Sequence, residues 1–125
     1  MIRGLGHIGL FTRDIEKSKS FYTEVLAFKI ISETENSDGS KISMAQQNDC
    51  MLELVQLPGY DGYIDGYFNH FSLVVDDIMK AKDVLESKGI AFEMQEPVLS
   101  NVFNGVKYLM FRGPDGEHLE INEII

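Results

Sequence analysis

The chain repeats itself. The stretch from His7 to Ile30, HIGLFTRDIEKSKSFYTEVLAFKI, returns in altered form from His70 as HFSLVVDDIMKAKDVLESKGIAFEM. One constant shift lays His7 on His70, Leu10 on Leu73, Asp14 on Asp77, Ile15 on Ile78, Lys17 on Lys80 and Lys19 on Lys82. The copies also close alike, with MLELVQL from Met51 and HLEINEI from His118. Self-similarity over such a period marks a duplicated supersecondary unit, which constrains the fold more than any single residue does. Each copy opens on a strand His and closes on a strand Glu: His7 and Glu53, then His70 and Glu120. Two His and two Glu at equivalent places in two modules are what a metal site on a pseudo-twofold axis needs.

At 125 residues the chain has the length of one domain. It divides into module one (1–57), a linker (58–69) and module two (70–125). Modules of about 60 residues bury too little alone, so the two are expected to share a core. No apolar run approaches the ~20 residues of a membrane span, and the N-terminus does not read as a signal peptide, so a cytoplasmic location is expected. The single cysteine, Cys50, forms no internal disulfide and reads as a small packed residue. The net charge of −9 excludes a nucleic-acid partner, which needs a basic face, and would suit a cationic ligand.

The residues from Gly4 to Phe11 read as a strand, with Ile8 and Leu10 facing one way and His7, Gly9 and Phe11 the other. Asp14 is placed to cap a helix whose apolar face carries Ile15, Ser18, Phe21, Tyr22, Val25 and Leu26. Strands follow at 29–35 and 41–47, across the turn Asn-Ser-Asp-Gly-Ser, and at 51–56. In the linker, Tyr60, Tyr63, Tyr67 and Phe68 are too many aromatics for a loose spacer and are expected to pack across the module boundary. Module two repeats the order. Residues 70–75 form its first strand, and Asp77 caps a helix with Ile78, Ala81, Val84 and Leu85 inward and Gly89 at its end. Strands are expected at 91–95, 106–112 and 117–122, with a loop at 96–105 and a Gly-Pro-Asp-Gly turn at 113–116. The loop accounts for the longer His-to-Glu spacing of module two. The order is βαβββ twice, an α+β chain with its helices on one sheet face.

Strand alternation gives the polar residues their direction. His7 and Glu53 face oppositely to Ile8, Leu10, Leu52 and Leu54; His70 and Glu120 face oppositely to Phe71, Leu73, Leu119 and Ile121. All four therefore face away from the helices, into a concave side. Two carboxylates there without a cation would repel and be poorly solvated, and a divalent ion removes that cost. Imidazole with carboxylate suits Zn, Ni, Co or Mn. His118 shares the facing of Glu120, so it could support the ligands from behind, though it reads more as a surface group; Glu123 faces the other way and is left out of the site.

At these residues the sequence resembles the vicinal oxygen chelate superfamily, which includes glyoxalase I, bleomycin- and fosfomycin-resistance proteins, methylmalonyl-CoA epimerase and extradiol dioxygenases. The resemblance spans nearly the whole chain. It is carried by His7, Asp14, Phe21-Tyr22, Val25-Leu26, Glu53, His70, Asp77, the turn from Gly113 to Gly116, and Glu120. It implies a glyoxalase-like fold, a cup of mixed sheet with the helices outside. Each module is implied to supply one metal ligand from its first strand and one from its last, namely His7, Glu53, His70 and Glu120. That set of identities is similar to bacterial glyoxalase I. Dioxygenases and fosfomycin enzymes lack the second ligand, the epimerase has Gln there, and bleomycin-binding members lack the quartet. Where glutathione-using glyoxalases often carry Arg and Asn, this chain has Phe11 and Leu57, so those two glutathione contacts are missing. Ala27 stands for a usual Gly and Gly113 for a usual Asp.

Four protein ligands on an octahedral ion leave two positions for vicinal substrate oxygens, with the metal as Lewis acid. The resemblance implies isomerisation of a thiol hemithioacetal of a 2-oxoaldehyde to a thioester. Glu120 or Glu53 is the implied base, and Phe11, Met51 and Val55 the apolar lining. It also implies a homodimer with sites shared between chains, His7 and Glu53 from one and His70 and Glu120 from the other. The alternatives are a small-molecule binding or resistance protein of the same fold, or a CoA-ester epimerase.

Overall fold

A computed structural model of the protein describes residues 1, 3–62, 65, 66 and 68–125, the Phe103 side chain excepted. It forms two compact units, Met1–Tyr63 and Ile64–Ile125, each one βαβββ module. The division falls inside the 58–69 linker.

In the first unit, β1 (Ile8–Phe11) leads to α1 (Ile15–Ser20). The antiparallel strands β2 (Lys29–Glu35), β3 (Lys41–Gln47) and β4 (Cys50–Gln56) follow, in the sheet order β1-β4-β3-β2. β1 lies parallel to β4, with Gly9 opposite Glu53. In the second unit, β5 (Phe71–Val74) and α2 (Ile78–Ser87) precede β6 (Val98–Ser100), β7 (Val106–Arg112) and β8 (His118–Ile124), in the order β5-β8-β7-β6. β5 lies parallel to β8, with Ser72 opposite Glu120.

The helices start where the sequence says. Asp14 and Asp77 sit in extended backbone, and each side chain accepts the N–H groups two and three residues on. The Lys80 backbone N–H, foremost, holds the Asp77 carboxyl below the usual carboxylate range. A second tie recurs. Gln56 Oε1 accepts the N–H of Ile15 at 2.8 Å, and Glu123 Oε2 accepts that of Ile78 at 2.8 Å. The last strand of each unit thus satisfies the first orphan donor of its own helix. Losing a cap typically costs about 1 kcal/mol. Asp14→Ala is therefore expected to lower the melting temperature by roughly 4 °C for a chain of this size, read by calorimetry. An unchanged melting temperature would show that Gln56 alone secures the helix start.

α1 widens at its end into a π-helical turn, Phe21–Val25, with the Leu26 N–H reaching the Phe21 carbonyl five residues back. The turn seats Tyr22 fully inside the first unit, edge-on to Phe21 and Phe28. Ala27 then reverses the chain at a φ of 62°, a left-handed conformation that costs an L-residue about 1–2 kcal/mol and that glycine adopts freely. Gly113 has a different reason. A Cβ there would strike the Glu117 side chain, which is buried and whose Oε2 accepts the Asp115 N–H at 2.8 Å.

α1 packs on β3 and β4, and α2 on β8. Beneath them lie Leu52, Leu54 and Ala45 in one unit, and Leu119, Ile121 and Leu109 in the other, all buried. Removing such a Leu side chain typically costs 2–5 kcal/mol. The alternation of β1, β4, β5 and β8 follows the expected facing.

Four expectations change. β1 begins at Ile8 and β5 at Phe71, so His7 and His70 stand one residue ahead of their strands. Val84 lies on the outer side of α2, 51% exposed. Residues 91–95 form no strand. The Glu93 N–H bonds the Met110 carbonyl, but the Met110 N–H goes to the Met94 sulfur at 3.2 Å, so a side chain ends the ladder. The pairing moves to β6, inside the expected loop, followed by a 3₁₀ turn at Val102–Asn104. In the linker, Tyr60 meets Phe11 with ring centroids 5.5 Å apart. Tyr63 and Tyr67, on which the expected packing of the linker also rests, lie outside the described residues.

Candidate metal centre

Parallel pairing creates a His–Glu pair in each unit. With Gly9 opposite Glu53, the residue two before Gly9 on the same face is His7; with Ser72 opposite Glu120, it is His70. His7 Nε2 stands 3.9 Å from Glu53 Oε2, and His70 Nε2 3.7 Å from Glu120 Oε2. Both pairs are partly open to solvent. On the other flank, β3 sets Met44 opposite Glu53 and β7 sets Met110 opposite Glu120.

The pairs fit a divalent ion chemically. Donors bound to one ion at ~2.1 Å each can be at most ~4.2 Å apart, and both separations fall within that limit. His70 Nδ1 lies 2.8 Å from Asn69 Oδ1. An amide oxygen can only accept, so the tautomer that makes this bond carries its proton on Nδ1, and in the neutral ring that leaves the Nε2 lone pair beside Glu120. That is the usual support for a ligating imidazole. Among the described residues, no group of three or more His, Cys, Asp or Glu side chains converges as a metal site.

The two carboxylates are held differently. Glu120 Oε1 accepts the Ser72 hydroxyl at 2.6 Å and Asn122 Nδ2 at 3.3 Å, and Asn122 Nδ2 also donates to Ser72 Oγ. In this orientation the buried Asn122 Oδ1 has no hydrogen-bond partner among the described residues. A buried acceptor left unpaired costs about 1–3 kcal/mol. At the corresponding places beside Glu53 stand Gly9 and Val55, which offer no side-chain donor.

His118 is not the surface group expected. Its side chain is only 14% exposed, packed edge-on to the His70 ring with centroids 6.1 Å apart. Its Nε2 lies 3.0 Å from Glu93 Oε1. Glu93 also pairs with Arg112, whose Nη1 reaches Asp65 Oδ1 and the Gly116 carbonyl. Asp65, above all, raises the pKa of that guanidinium. Of the expected lining residues, Phe11 is 54% exposed against Tyr60, Met51 is half-buried and Val55 is buried on β4. Burial pushes the Cys50 thiol pKa up, which suits a packed residue and not a nucleophile.

The sequence singled out the His and Glu that the structure sets beside each other in each unit, and did not single out their neighbours Ser72, Asn122, Asn69 and Glu93. The available signal was the replacement of an apolar or side-chain-free residue by a polar one, Gly9 by Ser72 and Val55 by Asn122, on the face that carries the His and Glu.

Each of the two βαβββ units sets one imidazole, just ahead of its first strand, beside one carboxylate on its last strand. The chain belongs to the Glyoxalase/Bleomycin resistance protein/Dioxygenase superfamily, whose profile matches residues 4–121. It is 29% identical to the uncharacterised protein YwbC of Bacillus subtilis, over 96% of this chain and 97% of that one. It is 28% identical to a probable lactoylglutathione lyase of Vibrio cholerae, over 92% of this chain and 86% of that one. A glyoxalase family protein from Enterococcus faecalis has the same fold, with a TM-score of 0.84 at 21% identity, covering 97% of this chain and 98% of that one. So does the fosfomycin resistance protein FosX from Listeria monocytogenes, crystallised with Mn(II) and sulfate. Its TM-score is 0.76 at 16% identity, covering 98% of this chain and 93% of that one.

Proposed function

We propose that the protein is a metal-dependent lyase or isomerase of the glyoxalase I type, acting on a thiol hemithioacetal of a 2-oxoaldehyde. The observation that carries this reading is the His Nε2–Glu Oε2 pair repeated at equivalent places in both units, 3.9 Å and 3.7 Å apart. In this reading His7, Glu53, His70 and Glu120 together hold one Zn, Ni, Co or Mn ion. When bound, the ion supplies Lewis acidity to the vicinal oxygens of the substrate. The chain's own work is the proton. Glu120 Oε2, the oxygen that Ser72 and Asn122 leave free, takes the proton beside the carbonyl and returns it to the neighbouring carbon. Glu53 is the second carboxylate within the same ligand set. Phe11, Met51 and Val55 exclude water from the apolar part of the substrate. The name of the Vibrio cholerae relative supports the activity, and Mn(II) in the Listeria monocytogenes neighbour supports the metal.

A homodimer that shares its sites, His7 and Glu53 from one chain with His70 and Glu120 from the other, belongs to this reading. Sedimentation of the metal-loaded protein as a monomer would remove that part of it. No helix among the described residues is long and apolar enough to cross a membrane, and the reading places the protein in the cytoplasm.

The test is a panel of hemithioacetals, made from methylglyoxal and several thiols, offered to protein loaded with each metal. Thioester formation above the metal-only rate is the expected result. No turnover with any thiol, from protein that binds metal, favours the second reading: a small-molecule binding or resistance protein. Phe11 and Leu57 in place of polar thiol contacts, and the charge of −9, support that second reading.

A further inference from the structure

The two half-sites are built from equivalent strands but supported unequally, and the difference lies in two pairs of positions. Beside Glu120 stand Ser72 and Asn122; beside Glu53 stand Gly9 and Val55. The direction of the Glu120 network follows from the orientation of the Asn122 amide. The Asn122 amide can only donate from Nδ2, so Ser72 Oγ accepts from it and turns its own proton to Glu120 Oε1 at 2.6 Å. Asn122 Nδ2 donates to the same carboxylate oxygen at 3.3 Å. A chain of donors that all point one way polarises in one sense and ends on one atom. Turning the Asn122 amide over would let the Ser72 hydroxyl donate to Oδ1, but it would take that proton from Glu120 Oε1 and set a carbonyl against the carboxylate. In the observed orientation both donors go to Glu120 Oε1, and Asn122 Oδ1 has no partner among the described residues.

We infer that Ser72 and Asn122 are positioning residues, which fix Glu120 by Oε1 so that Oε2 faces the ion and substrate beside His70. The inference rests on the metal-site reading above. It makes the two half-sites unequal: His70 and Glu120 form the preorganised half, which dominates the binding of the ion, and His7 and Glu53 form the adaptable half. Outer partners of this kind typically change metal affinity 10–100-fold.

Co(II) is the probe, titrated into the full chain and followed by its visible absorption and by calorimetry. Ser72→Ala and Asn122→Val are each expected to weaken Co(II) binding ~10–100-fold and to alter the visible band. Ser72→Thr, which keeps the hydroxyl, is expected to stay near wild type. Ser72 is exposed, so its substitutions leave the core intact, and Asn122→Val keeps a side chain of similar size on β8. Gly9→Ser supplies the converse. Its Cβ would lie 3.8 Å from Glu53 Oε1, an ordinary contact, and the added hydroxyl is expected to tighten Co(II) binding several-fold. Wild-type affinity in Ser72→Ala, or equal losses in Ser72→Ala and Ser72→Thr, would overturn the inference and leave the metal site standing. Failure of the wild-type protein to bind Co(II), Ni(II) or Zn(II) would overturn both.

Discussion

Glu120→Gln is expected to lower turnover of any hemithioacetal substrate by ~10²–10⁴-fold at saturating metal, while the protein still folds. The local hydrogen bonds explain why the fold survives. Ser72 and Asn122 both donate to one oxygen of Glu120. The glutamine carbonyl can accept both bonds, which sets its NH₂ where Oε2 now faces His70. That NH₂ cannot take a proton from carbon. It also removes one negative charge from the ligand set, so metal must be added until loading matches wild type before rates are compared. Under that control, circular dichroism and melting are expected to follow wild type, and only the rate to fall. A variant as fast as wild type at equal loading would show that Glu120 is not the base, and Glu53→Gln becomes the informative variant. A second expectation follows from the network. If Glu120 acts through Oε2, Ser72→Ala should lower kcat with little change in KM, because the substrate's remote contacts are untouched.

Much of the fold was legible because duplication supplies its own control. Asp14 and Asp77 each read as a cap, and each is one, since an Asp ahead of an amphipathic run has one low-energy use. The strands at 29–35, 41–47 and 106–112 were read to the residue, as alternation and flanking turns both mark them. The strand expected at 91–95 failed for a reason that periodicity does not encode. Whether an apolar stretch enters a ladder depends on which acceptor its neighbour's N–H finds, and here the Met94 sulfur takes it. The short β6 strand sat in a stretch with Pro97 and polar ends, below the length at which alternation speaks. In the site, the His and Glu residues announced themselves by recurring. Ser72 and Asn122 did not recur, and a residue that breaks a repeat reads as drift until the register sets Ser72 opposite Glu120 and Asn122 two residues along the same strand. His118 read as surface because facing is visible in a strand and a partner from a distant turn, Glu93, is not. Glu123 was set aside for facing the helix side, which is the facing it needs to tie down α2.

Removing metal is expected to lower the melting temperature by on the order of 10 °C, and adding Zn, Ni or Co to restore it. A ligand bound only by the native state stabilises by mass action, about 4 kcal/mol at a thousandfold excess over its dissociation constant. Spread over the unfolding entropy of a domain of this size, that is a shift of this order. The physical source is local. Each half-site sets a carboxylate against an imidazole at 3.7–3.9 Å, beyond hydrogen-bond range, so neither is satisfied by the other. A cation between them replaces that loose contact with two short ones. The gain should be unequal between the halves. His70→Ala removes the imidazole whose Nδ1–H is already fixed by Asn69, and is expected to abolish most of the metal-dependent shift. His7→Ala, on the side where Glu53 has neither Ser nor Asn beside it, is expected to leave a larger part of it. Melting curves with and without chelator, for wild type and both variants, make the comparison. Identical curves with and without chelator, from protein shown to carry no metal, would remove the ion from the reading altogether. Equal losses in the two His variants would keep the ion and deny that the second half-site holds it more firmly than the first.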